Sequence, residues 1–580
     1  MKRFTTLTGW LVMAAAFIAG MTSCSKVDNI IDEPTPTTTD APKTYTLTVT
    51  ASKGGDDATT RALSLDGKTL NATWAAGDTV QVYHVSYPGT AYELVSETPN
   101  GTLYALGSGA TTTLTGTFTG SYTPKAGDLL WLKFNDKPDY TTQEGTLDYI
   151  AANCDYATAE ITVESVDALT GNVTATGIAE FANQQAVVKF SLKQPDGTTP
   201  LAVTSLTVKV GSWTYNVTPT AATSDFYVAI NRASDKTVTL RATDGTDHYR
   251  YEKSGISFAV GKYYAIGVKM VSLNLSTHTS DFIAQDGDIL TGTLVGNSQP
   301  CKISIADGAT VTLSGVTING VSWDICPWAG INCLGDATIL LAEGTTNTVK
   351  GFHTNYPGIL PAVGKTLTID GTGSLNVSSN GAATGIGCGL GISCGNIHIK
   401  NGTINATGGG GSAGIGSATS TASRGNSQCG TITISGGNVT ATAGHGAAGI
   451  GSGRAVEGIS SCDAIRIEGG AVTASATQNN TVIGNGTAES GGTSSCPSIT
   501  FTTDITSLTL NNPNASGGSS AYAESFLNAG KVMANTLDIT GHLSGASAIV
   551  IFFNERNPEF YATFPNSSFN ESTLTWTIAP

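Results

Sequence analysis

Residues 395–429 read GNIHIKNGTINATGGGGSAGIGS…SQC, residues 430–462 read GTITISGGNVTATAGHGAAGIGS…SSC, and residues 463–496 read DAIRIEGGAVTASATQNNTVIGN…SSC. One unit is written three times, and each copy closes on a cysteine. With Cys394 ahead of the first copy, the cysteines Cys394, Cys429, Cys462 and Cys496 recur at intervals of 35, 33 and 34 residues. A near-constant period of this size marks stacked supersecondary units. Within a copy apolar residues alternate, as in Ile432-Thr433-Ile434 and Val439-Thr440-Ala441, which describes short strands with one buried face. Ile397, Ile432, Ile465 and Ile499 follow their cysteines by three residues, and Ile399, Ile434, Ile467 and Phe501 by five. Stacked as rungs roughly 4.8 Å apart, these positions form internal columns. Each buried isoleucine then contributes roughly 1.5–3 kcal/mol, which a single copy could not secure alone. The expectation is a parallel β-helix, with glycines such as Gly414, Gly416, Gly449 and Gly451 turning its corners.

The 28-residue spacing of Ile303, Ile331 and Ile359 leads directly into these copies. The solenoid is therefore expected over residues 281–510, with about seven coils, and residues 511–580 as a C-terminal cap. Residues 573–579 are the alternative donor strand for a neighbouring subunit. From Tyr45 to Met270 the text is short alternating strands separated by Gly, Asp, Asn and Pro clusters, an all-β sandwich pattern. The fold class is all-β throughout, a β-sandwich followed by a parallel β-helix.

The chain of 580 residues has formal charge −15, 13% charged residues and 70 glycines. No basic patch suits a nucleic acid. Lys2-Arg3, the apolar stretch 10–20 and Met21-Thr22-Ser23-Cys24 resemble the signal and lipobox of bacterial lipoproteins. That resemblance implies removal of residues 1–23, lipidation of Cys24 and a polar tether over 24–43. The membrane is then reached through the N-terminal lipid alone, at the outer membrane and facing outward.

Removing Cys24 from ten cysteines leaves nine, an odd number. Cysteines stacked rung on rung point the same way, which favours a ladder of buried thiols over disulfides. A metal site from them is disfavoured, because no CxxC or ligand-spaced histidine accompanies them. Their redox state stays open.

Thr60-Arg61-Ala62-Leu63 followed by Ala72-Thr73-Trp74-Ala75-Ala76-Gly77-Asp78-Thr79-Val80-Gln81-Val82-Tyr83, with FANQQAVVKFSLK at 181–193 and GKYYAIGVKMVS at 261–272, resembles fimbrillin-like proteins of Bacteroidales-type surface fimbriae. The likeness spans residues 44–272, in two halves with a break near 178. It implies a surface lipoprotein able to join a fimbria, with proteolytic processing after Arg61 opening a groove for a neighbour's strand. The alternative left open is that Arg61 is a solvated loop charge on a monomeric lipoprotein. The second module resembles carbohydrate-binding parallel β-helix domains of bacterial surface proteins, which implies a glycan ligand and makes calcium a candidate cofactor.

Trp323, Asp324, Trp328, Phe352, His353, Asn355 and Tyr356 form the candidate carbohydrate contacts, aromatic faces for sugar rings beside polar groups for hydroxyls. Padding of the first coils against the sandwich is the competing role. Asp286 and Asp288 are the candidate calcium ligands. No catalytic residue is expected: residues 371–456 contain no Asp or Glu, and glycoside hydrolysis needs a carboxylate pair. His398, between two isoleucines, should face outward. Three roles follow: an adhesin or fimbria-associated subunit binding a glycan or a host or neighbouring surface protein, a β-helix polysaccharide lyase or hydrolase, or a passive stalk.

Overall fold

The computed structural model describes residues 43–53, 63–66, 69–86, 93–94, 96–120, 122–135, 138–295, 301–320, 326–477, 482–501 and 505–511. It also describes five short strands beyond them, at 536–537, 548–551, 560–563, 567–570 and 575–578. Cys24 and Arg61 lie outside the described residues, as do Trp323 and Asp324. The described chain is almost entirely β, as its alternation predicts.

The N-terminal region holds two cores. In the first, Lys43–Ser52 alternates so that Tyr45, Leu47, Val49 and Ala51 point inward, and it pairs antiparallel with Thr111–Gly120 along its whole length. The sheet continues through Gly101–Ala105, Thr79–Ser86, Leu129–Phe134 and Ala157–Val166. Asn172–Ala175 pairs with both Lys43–Ser52 and Ala157–Val166, so the sheet curls round and its two edges meet. Trp74 is fully buried inside, edge-on to Phe134 at 5.5 Å and Phe181 at 5.0 Å. The second core lies between two sheets. One has Ala186–Lys193 flanked by Asp225–Ile230 and Tyr263–Lys269, and the other contains Ser205–Val210, Trp213–Val217, Ala233–Thr243 and His248–Phe258.

From Phe282 onward the topology changes to parallel pairing between successive coils, along three faces. Ile397, Ile432, Ile465 and Ile499 are register partners in one column, and Ile399, Ile434, Ile467 and Phe501 in another, as the repeat predicts. A third column, Ile359, Ile386, Ile415, Ile450 and Ile483, runs down another face. The core is continuous from Leu273 to Ile499. Eight coils are described, one more than the period suggests. The extra one, built on Phe282–Ala284, Ile289–Leu290 and Thr293–Val295, precedes the 28-residue repeat and is too short to share it. The later, longer coils add two ribbons, Ser420–Thr421 with Ala455–Val456 and Ala488–Glu489, and Ser427–Cys429 with Ile459–Cys462 and Thr493–Ser495. At the far end Thr575–Ile578 pairs antiparallel with Ile505–Asn511, ending the parallel series on that face, while Thr536–Leu537 adds one more parallel strand to Ser498–Phe501 on another.

Gly387, Gly416, Gly451 and Gly484 stack at one corner with φ between 127° and 136°. A Cβ on Gly451 would lie 2.1 Å from the Gly484 carbonyl oxygen, so backbone must move. Gly451→Ala should therefore cost roughly 3 kcal/mol. Gly308→Ala, where φ is 74° but nothing lies within 4 Å, should cost only about 1 kcal/mol. Denaturant unfolding of the two variants measures the difference.

Candidate binding surface

The arm is locked to the second core by charge. Arg241 and Arg250, on neighbouring strands, converge on Asp288 of the first coil: Arg241 donates to Oδ1 at 2.7 Å, and Arg250 Nε stands 3.2 Å from Oδ2. Oδ2 also accepts from Gln285 N at 2.9 Å, and the carboxylate is fully buried. Asp286 accepts from Thr310 N at 3.0 Å, while its carbonyl accepts from Arg241. Asp247 accepts from Asn274 at 2.7 Å and Thr291 at 3.3 Å, across the same junction. The two acids nominated for calcium are thus occupied within the protein. Asp288 already has two guanidinium partners, which a cation would have to displace.

The aromatic cluster is divided. Phe352 is a core residue with no exposed face, so it offers no stacking platform, contrary to its nomination as a sugar contact. Trp328 is half-buried and packs on it, ring centroids 6.1 Å apart. His353 and Tyr356 are half-buried and edge-to-face at 5.8 Å. His353 Nδ1 accepts from Asn355 N at 3.0 Å, and the Asn355 carbonyl accepts from Leu390 N at 2.9 Å. These residues build a corner turn that docks on the next coil. Padding against the sandwich is not how they are used, because the junction is formed by Arg241, Arg250, Asp247 and Asn274. His398 faces outward as expected, 2.9 Å from Ser435 Oγ, with burial first and Lys400 second lowering its pKa.

A surface that the sequence reading did not single out is the outer side of the third face. There, Thr348, Asn376, Asn405, Thr440 and Thr473 lie in one register column. Thr346, Ser374, Thr403 and Asn438 flank it on one side, and Ser378, Thr407, Thr442 and Ser475 on the other. The intervening Val349, Leu375, Val377, Ile404, Ala406, Val439, Ala441, Val472 and Ala474 are buried, which turns the hydroxyls and amides outward. Asn405 donates to Asn376 at 2.9 Å. Rows recur at roughly 4.8 Å, with alternate residues about 6.7 Å apart along each strand. Lys350 is the one charge within these strands from 346 to 475. The signal that could have found this face is the polar half of SLNVS, TINAT and NVTAT read across copies.

No family model and no curated protein matches the sequence. Solved structures resemble its N-terminal portion. A fimbrial protein from Bacteroides ovatus is 14% identical over 40% of this chain and 49% of its own, with a TM-score of 0.21. A fimbrial assembly protein from Parabacteroides distasonis is 12% identical over 39% and 91%, TM-score 0.21. A tip fimbrial protein from Porphyromonas gingivalis is 9% identical over 40% and 96%, TM-score 0.22. Scores of this size leave function to the chain's own geometry.

Asp288→Ala would strand two guanidiniums at the junction and should cost about 3–5 kcal/mol, read by denaturant unfolding. The junction should also weaken in acid. Burial lowers the pKa of His278, outweighing its hydrogen bond to the Ser272 carbonyl, with a smaller push in the same direction from Arg250. The unfolded chain then binds that proton more readily, so stability is intact above pH 6.5 and falls as pH drops below it. Melting curves of wild type and His278→Gln across this range should show the variant's slope to be shallower.

Proposed function

We propose that the protein is a surface lipoprotein, anchored at the outer membrane through Cys24, that acts as an adhesin or fimbria-associated subunit. On this reading the N-terminal region is the base and the β-helix is a rigid arm that binds a neutral glycan along its third face. One observation supports it above the others: the hydroxyl and amide columns stay in register over successive coils on an arm clamped to its base. A polysaccharide is itself a periodic row of hydroxyls, and an uncharged, repeating hydrogen-bonding surface suits it better than an acidic or basic ligand. The fimbrial and adhesion names of the structural neighbours agree with the reading but do not carry it.

A second reading concerns assembly. Lys43–Ser52 lies upstream of Arg61 and inside the first sheet, so a cut after Arg61 would sever a fully paired core strand from the rest of the chain. Its departure would empty the places of Leu47, Val49 and Ala51, and leave buried Asp155 without the Lys53 ammonium now 3.1 Å away. An incoming strand from a neighbouring subunit would have to refill both.

The test is a pull-down of the full chain on insoluble neutral and acidic polysaccharides. Binding should survive ~1 M salt and calcium chelation, because no charges are engaged, and should fall more than about tenfold in Asn405→Lys/Thr440→Lys with the far-ultraviolet spectrum unchanged. Trp328→Ala reports separately on the corner turn. Binding to none of the polymers would reduce the arm to a stalk. Release of sugar products would favour an enzyme, with Asp307 and Asp336, bridged by Lys365 at 3.6 and 3.4 Å, as the first acids to replace.

A further inference from the structure

Five cysteines gather where the solenoid changes its cross-section. Cys388 and Cys394 belong to the last coil before the extra ribbons begin, and Cys429, Cys462 and Cys496 follow one per coil. Three of them, Cys388, Cys394 and Cys429, have sulfurs mutually within 4.8 Å, all buried. Cys429 and Cys462 are register partners on adjacent parallel strands, the ladder geometry that suits thiols. Cys388 and Cys394 are related differently. Gly389 and Ile392 pair antiparallel between them, each donating its N–H to the other's carbonyl at 3.0 Å. This tight turn doubles the chain back and sets the two sulfurs face to face, 2.8 Å apart.

That separation discriminates between the fates open to them. Non-bonded heavy atoms settle at roughly 3.5–4.0 Å, and two thiolates on one zinc, each ~2.3 Å from it, stand about 3.8 Å apart. Two sulfurs at 2.8 Å stand closer than either arrangement holds them.

The geometry points to a Cys388–Cys394 disulfide that closes the turn at 389–393 and staples the coil where the longer rungs begin. The thiols are oxidised by a small-molecule or protein disulfide met during export. One of the two, as its thiolate, attacks one sulfur of that oxidant and expels a thiolate. The other then gives up its proton and attacks the sulfur of the first, expelling the second thiolate. One S–S bond forms here and one breaks there, with two electrons and two protons passing to the oxidant. Because both sulfurs are fully shielded in the finished coil, the exchange precedes the stacking of the next rung, and the product is then out of reach of reductants. Seven of the nine described cysteines stay as thiols, Cys429, Cys462 and Cys496 among them.

The full chain, refolded in glutathione disulfide, is alkylated in denaturant without reductant and cut with trypsin. Lys365 and Lys400 bound a peptide, 366–400, that holds both cysteines, while Cys429 falls in 425–454. The expected result is peptide 366–400 lighter by two hydrogens and unalkylated, with Cys429 alkylated. Alkylation of both Cys388 and Cys394 would overturn the assignment, as would a linkage from either to Cys429. One zinc or copper per chain by elemental analysis, with these cysteines alkylated only after chelation, would overturn it in favour of a metal site.

Discussion

Everything in the C-terminal half follows from like residues sitting over like residues at the strand spacing of roughly 4.8 Å. That one constraint turns isoleucine into a continuous column and admits glycine alone at Gly387, Gly416 and Gly451, where a Cβ would stand 2.0–2.1 Å from the carbonyl oxygen of the next coil's glycine. It also governs charge. A carboxylate repeated in every coil would meet its copy at that distance, a repulsion of about 0.9 kcal/mol per pair in water and several times more near a protein surface. The acid-free run from 371 to 456 is thus first a condition of stacking.

The same constraint decides what could be read from the sequence. The Ile columns were legible because each copy repeats the pairing partner at a fixed distance, so register and repeat are the same information. The first coil lies within the expected span of 281–510 but went uncounted, because its 282–295 strands pair with the second coil without sharing its length. The junction escaped for a different reason: Arg241 and Arg250 meet Asp288 across some forty residues of chain, and nothing local marks that meeting. Asp286-Gly287-Asp288 therefore looked like a cation-binding turn when its partners were out of view. Phe352 looked like a sugar platform because the local text shows an aromatic beside histidine and asparagine, while its burial depends on Trp328 and the coils above and below. In the N-terminal half, alternation predicted strands, but closure by Asn172–Ala175 joins sequence positions more than a hundred residues apart.

An arm that presents a periodic surface is useful only if its base does not rotate beneath it. The junction meets that need with a buried carboxylate gripped from two strands of the second core, and with Leu273 and Leu275 entering the solenoid's own apolar column. Apolar contact supplies stability without direction, whereas two guanidiniums on one carboxylate fix an orientation. Removing either arginine leaves the other still paired, so orientation should degrade before cohesion does.

Because stacking disfavours repeated charge, the neutrality of the third face argues against a charged ligand without choosing a neutral one, and that choice has to be weighed by what stacking does not demand. Threonine is a good strand residue, and its abundance there needs no further cause. Asparagine is not. Asn376, Asn405 and Asn438 occupy outward strand positions where propensity disfavours them. The Asn405–Asn376 bond at 2.9 Å satisfies one donor and one acceptor of that pair, while each amide carries two donors and two acceptor lone pairs. The side chains stand on the outer side of the face, Asn376 and Asn405 in one column held by their mutual bond and Asn438 in the column beside it. Preorganised amides of that kind lose little freedom on meeting a chain of hydroxyls. That is the physical reason to look for function on this face rather than at the aromatic corner.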